Sequence, residues 1–268
     1  MFVQSRFLGS VFSVGLLLLT MPLNIAIDNF ADIKLTFDSD KPHIILSENF
    51  ESEDAFVSQS KQFSGQHSFR VMADPHNSSN HVGRFELRDS DPEVKRGVRT
   101  EVGFRAVEKE AWYAFSVYFP EYGFDRDSVP EIIAQWHQPN GGSPPNSVQV
   151  QDDEIYLRSI HSAVADGATY TKYPICKVQR GIWQRLVFHL VHSSSNDGLI
   201  EIWLNGAKIY KLTGSNIRED YDLPYFKVGI YKWPWKNGAK TLTSRRVLFF
   251  DDIVIANKGA TVEVLDLQ

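Results

Sequence analysis

Polar side chains suited to acid–base chemistry and charge stabilisation stand at alternate positions in three short segments of the sequence. The segments are VRTEVGF at 98–104, EIIAQWHQ at 131–138 and YFKVGIYK at 225–232. Alternation places such residues on one face of a β-strand, and the opposite faces are mostly apolar. If the strands are neighbours in one sheet, their polar faces bring together Arg99, Glu101, Gln135, His137, Tyr225, Lys227 and Tyr231.

These residue types suit β-elimination on a uronic acid, in which the C5 proton is removed and the O4 substituent departs. The uronate carboxylate resists further negative charge, so Arg99, Gln135 or Lys227 must neutralise it. His137 or an ionised tyrosine would take the proton, and Tyr231 would protonate the departing oxygen. Lys227 is also expected to lower the pKa of the Tyr231 hydroxyl.

Other chemistries lack their motifs, and each residue alone also has an ordinary structural explanation. The acidic run at 152–154 places neighbouring carboxylates on opposite faces, which disfavours the carboxylate pair of a glycoside hydrolase. The sequence has no Gly-x-Ser-x-Gly elbow and no His-Glu-x-x-His pattern. Arg99 and Glu101 could instead form a cross-strand ion pair, and the tyrosines could pack with a hydrated hydroxyl.

The composition is that of a globular protein, with 43% hydrophobic and 23% charged residues. The net charge of −5 does not suggest a nucleic-acid partner. A local basic cleft can still attract an anionic substrate, and residues 227–246 hold six basic residues and no acidic one. The single cysteine, Cys176, excludes an intramolecular disulfide and a cysteine-based metal site.

Residues 1–26 have the pattern of an export signal. Arg6 provides a short positive region, residues 7–23 are largely apolar, and Ala26 could precede a cleavage point. An uncleaved membrane anchor is the alternative. No later stretch is long and apolar enough to span a membrane. Residues 27–268 are therefore predicted to form one domain that is secreted or periplasmic, monomeric and without membrane contact.

The rest of the chain predicts strands almost throughout. Asn-Gly and Asp-Gly turns recur, and Asn205-Gly206 joins two alternating segments in a predicted hairpin. Many strands with such turns imply a sandwich or jelly roll of two antiparallel sheets. The period of two assigns Ile132 to the core and Ile133 to the polar face of its strand. Residues 72–97 are expected to form a polar surface excursion.

The segments RTEV (99–102), AQWHQ (134–138) and YFKVGIYK (225–232) resemble, in this order, the three motif blocks of jelly-roll polysaccharide lyases. The resemblance covers about residues 45–256 and is closest to the heparin lyase I-like and glucuronan lyase groups, with alginate lyases as relatives. It implies an all-β, concanavalin A-like jelly roll that cleaves an anionic uronate-containing polysaccharide by β-elimination. No organic cofactor is implied. Val102, Trp136 and Lys232 depart from the alginate lyase pattern, which argues against alginate itself.

Carried over block by block, the resemblance assigns catalytic roles to five residues. Arg99 and Gln135 resemble residues that hold the uronate carboxylate, and His137 resembles a base or charge-neutralising histidine. Tyr231 matches the catalytic tyrosine, as acid or as both acid and base, and Lys227 matches the lysine four positions before it. The candidates for substrate binding around this set are Arg84, Arg88, Glu101, Tyr225, Lys232 and Trp233.

Jelly rolls of this kind also suggest a structural Ca²⁺ away from the cleft. The oxygen ligands that the sequence offers are Glu48 near the first strand and the pair Asp251 and Asp252 near the last. Capping of this acidic pair by solvent and backbone is the alternative. No feature of the sequence indicates a catalytic metal.

A non-catalytic glycan-binding module and a glycoside hydrolase are the alternatives to a lyase on the same scaffold. A lyase requires Arg99, Gln135, His137, Lys227 and Tyr231 to meet in one groove. A hydrolase instead requires two carboxylates facing each other at about 5–10 Å.

Overall fold

The computed structural model describes residues 41–52, 54–106, 108–139, 142–160, 168–219 and 221–266, except for the side chains of Asn237 and Asp266. The described residues belong to one compact unit and form fifteen strands with little helix. In chain order the strands are β1 (Ile44–Glu48), β2 (Ser60–Gln62), β3 (Phe69–Ala73), β4 (His81–Arg88), β5 (Arg99–Gly103), β6 (Glu110–Tyr118), β7 (Glu131–His137), β8 (Asn146–Gln151), β9 (Glu154–Ile160), β10 (Tyr170–Lys177), β11 (Trp183–Val191), β12 (Leu199–Leu204), β13 (Ala207–Thr213), β14 (Tyr225–Tyr231) and β15 (Arg245–Asn257). The helical segments are two 3-10 turns, Gln66–Ser68 and Trp233–Asn237, and the short helix α1 (Val262–Asp266).

The strands form two antiparallel sheets. The seven-stranded sheet, which carries a groove and is named the groove sheet, has the order β10-β9-β8-β7-β14-β5-β2. The outer sheet has eight strands in the order β13-β12-β11-β6-β15-β4-β3, with β1 also paired to β15. The prediction of an all-β sandwich is therefore confirmed. The predicted hairpin is also present, because Asn205 and Gly206 between β12 and β13 both have the positive φ of a type I′ turn.

Alternation turns the apolar side chains of both sheets towards one shared core. Phe226, Val228 and Ile230 of β14 belong to this core, as their spacing predicts. The ring of Phe226 lies 5.1 Å from that of Trp136 on the neighbouring strand β7, centroid to centroid. Full burial of one such side chain stabilises the fold by about 1.5–3 kcal/mol. The polar alternate positions of β14 are consequently held on the opposite face of the groove sheet.

A β-bulge in β7 reverses one predicted assignment. Ile133 packs in the core, whereas Ile132 lines the groove. The pairing of β7 with β8 shifts register between Ile132 and Ala134. One extra residue at a bulge exchanges the two faces of a strand, so the simple alternation holds only from Ala134 to His137.

Gly229 lies where the pairing of β14 with β7 also changes register. Its φ of 133° falls in a region that side chains rarely adopt, and a Cβ there would lie 2.2 Å from the carbonyl oxygen of Thr100. A glycine is therefore required at this position by the close approach of β5.

Residues 72–97 do not form the expected surface excursion, because β4 lies within them and pairs with β15 and β3. Phe85 and Leu87 of β4 belong to the core. The charged residues Arg84 and Glu86 alternate with them. Because so many positions of this segment are charged, the sequence favoured a surface loop over a strand.

The predicted export signal at residues 1–26 and the domain boundary after it lie outside the described residues and stay predictions, as does the monomeric state. No helix in the described part of the chain is long and apolar enough to cross a membrane.

His192, just after β11, should make stability depend on pH. It is buried, and neither ring nitrogen has a hydrogen-bond partner among the described residues. Burial lowers the pKa of His192 to about 4, whereas an unfolded histidine titrates near 6.5. Between these values the unfolded chain binds more protons. We therefore expect the free energy of unfolding to fall by on the order of 3 kcal/mol as the pH decreases from about 6.5 to 4.

Chemical denaturation of the wild type and of His192→Leu across this pH range measures the effect. The leucine variant should lack this part of the pH dependence. Parallel stability profiles for the two proteins would contradict the assignment to His192.

Candidate active site

A groove of about 870 Å³ lies on the groove sheet. Among the described residues its lining includes five basic side chains and no aspartate or glutamate, so the groove suits an anionic ligand. The lining residues are Ser60, Gln62, Lys95, Arg96, Arg99, Ile132, His137, Gly142, Ser143, Pro144, Gln149, Arg158, Tyr225, Lys227, Tyr231 and Trp233.

The buried carboxylate of Glu101 lies at the centre of the site. Its Oε2 accepts hydrogen bonds from Lys227 Nζ at 2.6 Å and from Arg99 Nη1 at 3.0 Å. Its Oε1 accepts a hydrogen bond from Gln135 Nε2. These partners come from β5, β14 and β7, which are consecutive neighbours in the groove sheet. Lys227 also donates to Gln62 Oε1 on the edge strand β2, at 3.1 Å.

The charges in this cluster depend on one another. Burial alone would raise the pKa of Glu101, but the Lys227 and Arg99 cations outweigh it and the pKa is lowered. Burial lowers the pKa of Lys227, and the Glu101 carboxylate opposes that effect. Two cations and one anion give the cluster a formal charge of +1. One positive charge is therefore left for a ligand in the groove.

Three polar atoms in this region are buried and have no hydrogen-bond partner among the described residues: Arg99 Nε, Gln135 Oε1 and His137 Nδ1. An unsatisfied buried polar atom costs about 1–3 kcal/mol. Such atoms are rare in native proteins and often have a catalytic role where they occur. Their concentration on β5 and β7 is consistent with a ligand site.

Tyr231 lies at the end of β14, where Arg99 stacks on it with Cζ 3.7 Å from the ring centroid. A Cβ on Gly97 would come within 2.7 Å of the Tyr231 ring, so the missing side chain makes room for the tyrosine. Burial raises the pKa of Tyr231, and Arg99 opposes this effect. The predicted lowering of this pKa by Lys227 is wrong, because Lys227 is paired with Glu101 and the adjacent cation is Arg99.

His137 and Tyr225 form a cross-strand pair at the other end of β14, with ring centroids 5.7 Å apart. Burial lowers the pKa of His137, and the nearby Lys227 cation lowers it further. The imidazole is consequently neutral at pH 7. Burial also raises the pKa of Tyr225, with the Glu101 charge acting in the same direction.

The five predicted catalytic residues meet at this groove. Arg99, His137, Lys227 and Tyr231 line it, and Gln135 is buried next to them through Glu101. Two of the predicted substrate-binding residues, Tyr225 and Trp233, also line the groove. Glu101 was expected to contact the substrate. In the structure both of its carboxylate oxygens already accept hydrogen bonds from protein donors.

Three other predicted substrate-binding residues lie away from the groove. Arg84 and Arg88 belong to β4 of the outer sheet, where both pair with Glu86. Lys232 is fully buried and pairs with Asp127 and Glu131, each at 3.1 Å. Strand alternation alone turns Lys232 away from Tyr231 and the groove.

The predicted calcium ligands do not form one cluster. The Glu48 carboxylate accepts hydrogen bonds from the backbone amides of Phe50 and Phe56. Asp251 accepts one from Asn80, and burial raises its pKa to about 6. In the described part of the chain, no three His, Cys, Asp or Glu side chains are grouped to hold a metal. The structural Ca²⁺ stays a prediction, since Ca²⁺ can also be bound by backbone carbonyl oxygens and water.

Several groove residues were not expected from the sequence, namely Lys95, Arg96, Gln149 and Arg158. The motif blocks do not include the segments that carry them. Alternation in SVQVQ (147–151) and IYLRS (155–159) places Gln149 and Arg158 each on the polar face of its own strand. It does not show that these strands belong to the same sheet as Tyr231.

An all-β sandwich with a cationic, tyrosine-bearing groove across one sheet belongs to the jelly-roll class that includes polysaccharide-cleaving enzymes. The family model described as polysaccharide lyase matches residues 51–254. The chain therefore belongs to the polysaccharide lyase family, which confirms the predicted class of enzyme and implies a polysaccharide substrate.

Solved structures with the same fold support the architecture. Endo-β-1,4-glucuronan lyase from the fungus Trichoderma reesei is 18% identical, with a TM-score of 0.65, and the match covers 80% of this chain and 96% of that one. An alginate lyase from Aplysia kurodai is 13% identical, with a TM-score of 0.52 and coverage of 80% and 99%. The receptor-binding domain of botulinum neurotoxin type G is 11% identical, with a TM-score of 0.52 and coverage of 84% and 50%. No curated protein sequence gives a significant match.

Replacing the central carboxylate tests its role. Glu101→Gln keeps the size of the side chain but leaves Lys227 and Arg99 buried without their anion. We expect the free energy of unfolding to fall by about 3–5 kcal/mol, measured by chemical denaturation. Glu154→Gln, which loses only an exposed 3.6 Å contact with Lys177, should change it by less than about 1 kcal/mol. Equal effects of the two substitutions would show that Glu101 is not the organising group.

Proposed function

We propose that this lyase cleaves an anionic polysaccharide containing uronate residues by β-elimination. The observation that carries the proposal is the cluster of Arg99, Lys227 and Glu101 beside a groove lined by His137 and Tyr231. Glucuronan and alginate, named for two of the similar enzymes, are both polymers of uronic acids. The closer affiliation with the heparin lyase I-like group rests on the sequence motifs alone.

The excess positive charge of the cluster is suited to stabilising the negative charge that develops during the reaction. Removal of the C5 proton pushes electrons towards the uronate carboxylate, which then carries a second negative charge. Arg99 and Lys227 stabilise this charge as it develops, in a largely desolvated setting where such interactions are strong. The unpartnered Arg99 Nε is the donor we assign to the carboxylate.

The pKa shifts favour His137 as base and Tyr231 as acid. His137 has a lowered pKa and is neutral, so it can accept the C5 proton. Tyr231 has a raised pKa and keeps its proton, which it can donate to O4. As the C5–H bond breaks, its electrons form the C4–C5 double bond and the C4–O4 bond breaks. The departing O4 takes the tyrosine proton.

The spacing of the two groups supports this division. Tyr231 pairs with Ile132, five residues from His137 along β7, so the two backbones are about 17 Å apart. Two long side chains that enter a groove from opposite ends of this row leave space for one sugar ring between them. That ring would lie over Gln135 and Lys227.

The alternatives from the sequence are less well supported. A glycoside hydrolase needs two carboxylates across the groove, and the described lining contains none. The fold also occurs in a receptor-binding domain, which is a precedent for a module that binds without catalysis. Family membership and the acid–base pair favour the enzyme.

The purified protein should release 4,5-unsaturated, ultraviolet-absorbing ends from glucuronan, alginate or heparin, and kinetics on the best polymer test the assigned residues. His137→Ala and Tyr231→Phe should each lower kcat by about 10²–10⁴-fold. His81→Ala and Tyr122→Phe, which alter exposed residues outside the groove lining, should leave it unchanged. No unsaturated product from any uronate polymer by folded protein would reject the proposal.

The pH profile gives an independent test, because kcat/KM reports the free enzyme. It should rise with pH through the His137 pKa, below 6.5, as the base loses its proton. It should fall at high pH, as Lys227, whose pKa is lowered, loses its charge and as Tyr231, whose pKa is raised, loses the proton that it must donate.

A substrate with a phenolic leaving group at O4 separates the two roles of Tyr231, because such a group departs without a proton. Tyr231→Phe should then approach wild-type rates, whereas His137→Ala should stay slow. If Tyr231→Phe is equally slow on the activated substrate, the tyrosine also acts as base.

A further inference from the structure

The half of the groove away from Tyr231 contains a cation that the proposed reaction does not use. Arg158 on β9 lines the groove and is partly buried. No carboxylate among the described residues lies within ion-pair distance of its guanidinium. This lack of an anion distinguishes Arg158 from the central cations Arg99 and Lys227, which share Glu101.

The guanidinium of Arg158 is held in place by an aromatic support. Its Cζ lies 3.2 Å from the ring centroid of Tyr170. The Tyr170 hydroxyl accepts a hydrogen bond of 2.5 Å from Arg218, which also donates to the carbonyl oxygen of Ser143 in the groove wall. A stacked guanidinium loses little further freedom when it binds a ligand, and its planar donors match a carboxylate.

Among the described residues, Arg158 is a cation without an anionic partner. Burial lowers its pKa, the neighbouring Tyr170 and Tyr156 oppose this effect, and the nearby Arg218 cation adds to it. No carboxylate contributes to the shift. An anion in this part of the groove would relieve this unfavourable setting.

Strand pairing fixes the distance from Arg158 to the reaction site. Arg158 pairs with Ser147 on β8, and Ser147 pairs with Gln135 on β7. Two strand spacings separate Arg158 from Gln135, about 10 Å. Neighbouring strands are ~5 Å apart, which is comparable to the length of one pyranose residue along a polysaccharide. A chain that crosses the strands would bring its second sugar beyond the reacting one to Arg158.

We infer that Arg158 is a second carboxylate-binding position of the groove, which recognises a uronate residue two sugars from the one that loses its C5 proton. The inference rests on the proposed function and deepens it. The enzyme then prefers substrates long enough to fill both positions and acidic at both of them.

Oligouronates of increasing length, prepared with saturated ends, test the inference. For the wild type, kcat/KM should rise at the length that first reaches Arg158. Arg158→Ala should remove this rise, with a loss of about 10- to 100-fold for long oligomers and almost none for short ones. Arg158→Lys, which keeps the charge without the planar fork, should recover part of the loss.

Arg70→Ala is the matched control, because Arg70 is exposed on β3 of the outer sheet. It should behave as the wild type at every length. An equal loss at all lengths for Arg158→Ala, or no loss at any length, would overturn the inference while leaving the lyase activity standing. Thermal unfolding of each variant separates a folding defect from a binding defect.

A wild type without unsaturated product at any length would reject the proposed function instead. Titration calorimetry with the longest oligouronate then tests binding at Arg158 independently of any catalytic activity. Weaker binding by Arg158→Ala of at least about 10-fold supports it, and unchanged binding rejects it.

Discussion

The buried carboxylate of Glu101 is the interaction on which the site depends. Arg99 and Lys227 could not be buried side by side without an anion between them, because each charge loses its hydration on burial. Glu101 supplies that anion and also accepts a hydrogen bond from Gln135. The three partners are brought into contact only if β5, β14 and β7 are neighbours in one register. A pairing shifted by one residue would turn these side chains to the opposite face and bury unpaired charge in an apolar core.

The same interaction separates the electrostatic surroundings of the two proposed proton-transfer groups. Glu101 neutralises one of the two cations and leaves the other charge facing the groove. At one end of β14, burial and Lys227 keep His137 neutral. At the other end, burial keeps Tyr231 protonated although Arg99 stacks on its ring. A base without its proton and an acid with its proton thus coexist at neutral pH, a condition for concerted general acid–base catalysis.

Sequence alone predicts the strands of the site well, since β7 and β14 lie within the predicted segments 131–138 and 225–232 and β14 has the expected core face. It fails where a property depends on a partner strand. The bulge that exchanges Ile132 and Ile133 arises from register with β8. The assignment of Arg84 to the groove fails because composition does not specify which sheet a strand joins. Lys232 is a different case. Strand alternation places it on the face opposite Tyr231, as in the structure, and only its place in the motif block suggested the groove.

Lys232 also explains how Tyr231 is fixed on a strand end. Consecutive residues of an extended chain face opposite ways, so β14 and the residue that follows it contribute to two buried ionic clusters on opposite faces of the sheet. Towards the groove, Lys227 pairs with Glu101. Away from it, Lys232 pairs with Glu131, whose Oε2 also accepts a hydrogen bond of 2.8 Å from Arg246 on the outer sheet. Tyr231 lies between these anchors, so the backbone that carries it is held by charge pairs on both faces of the sheet, and its ring is in contact with Arg99.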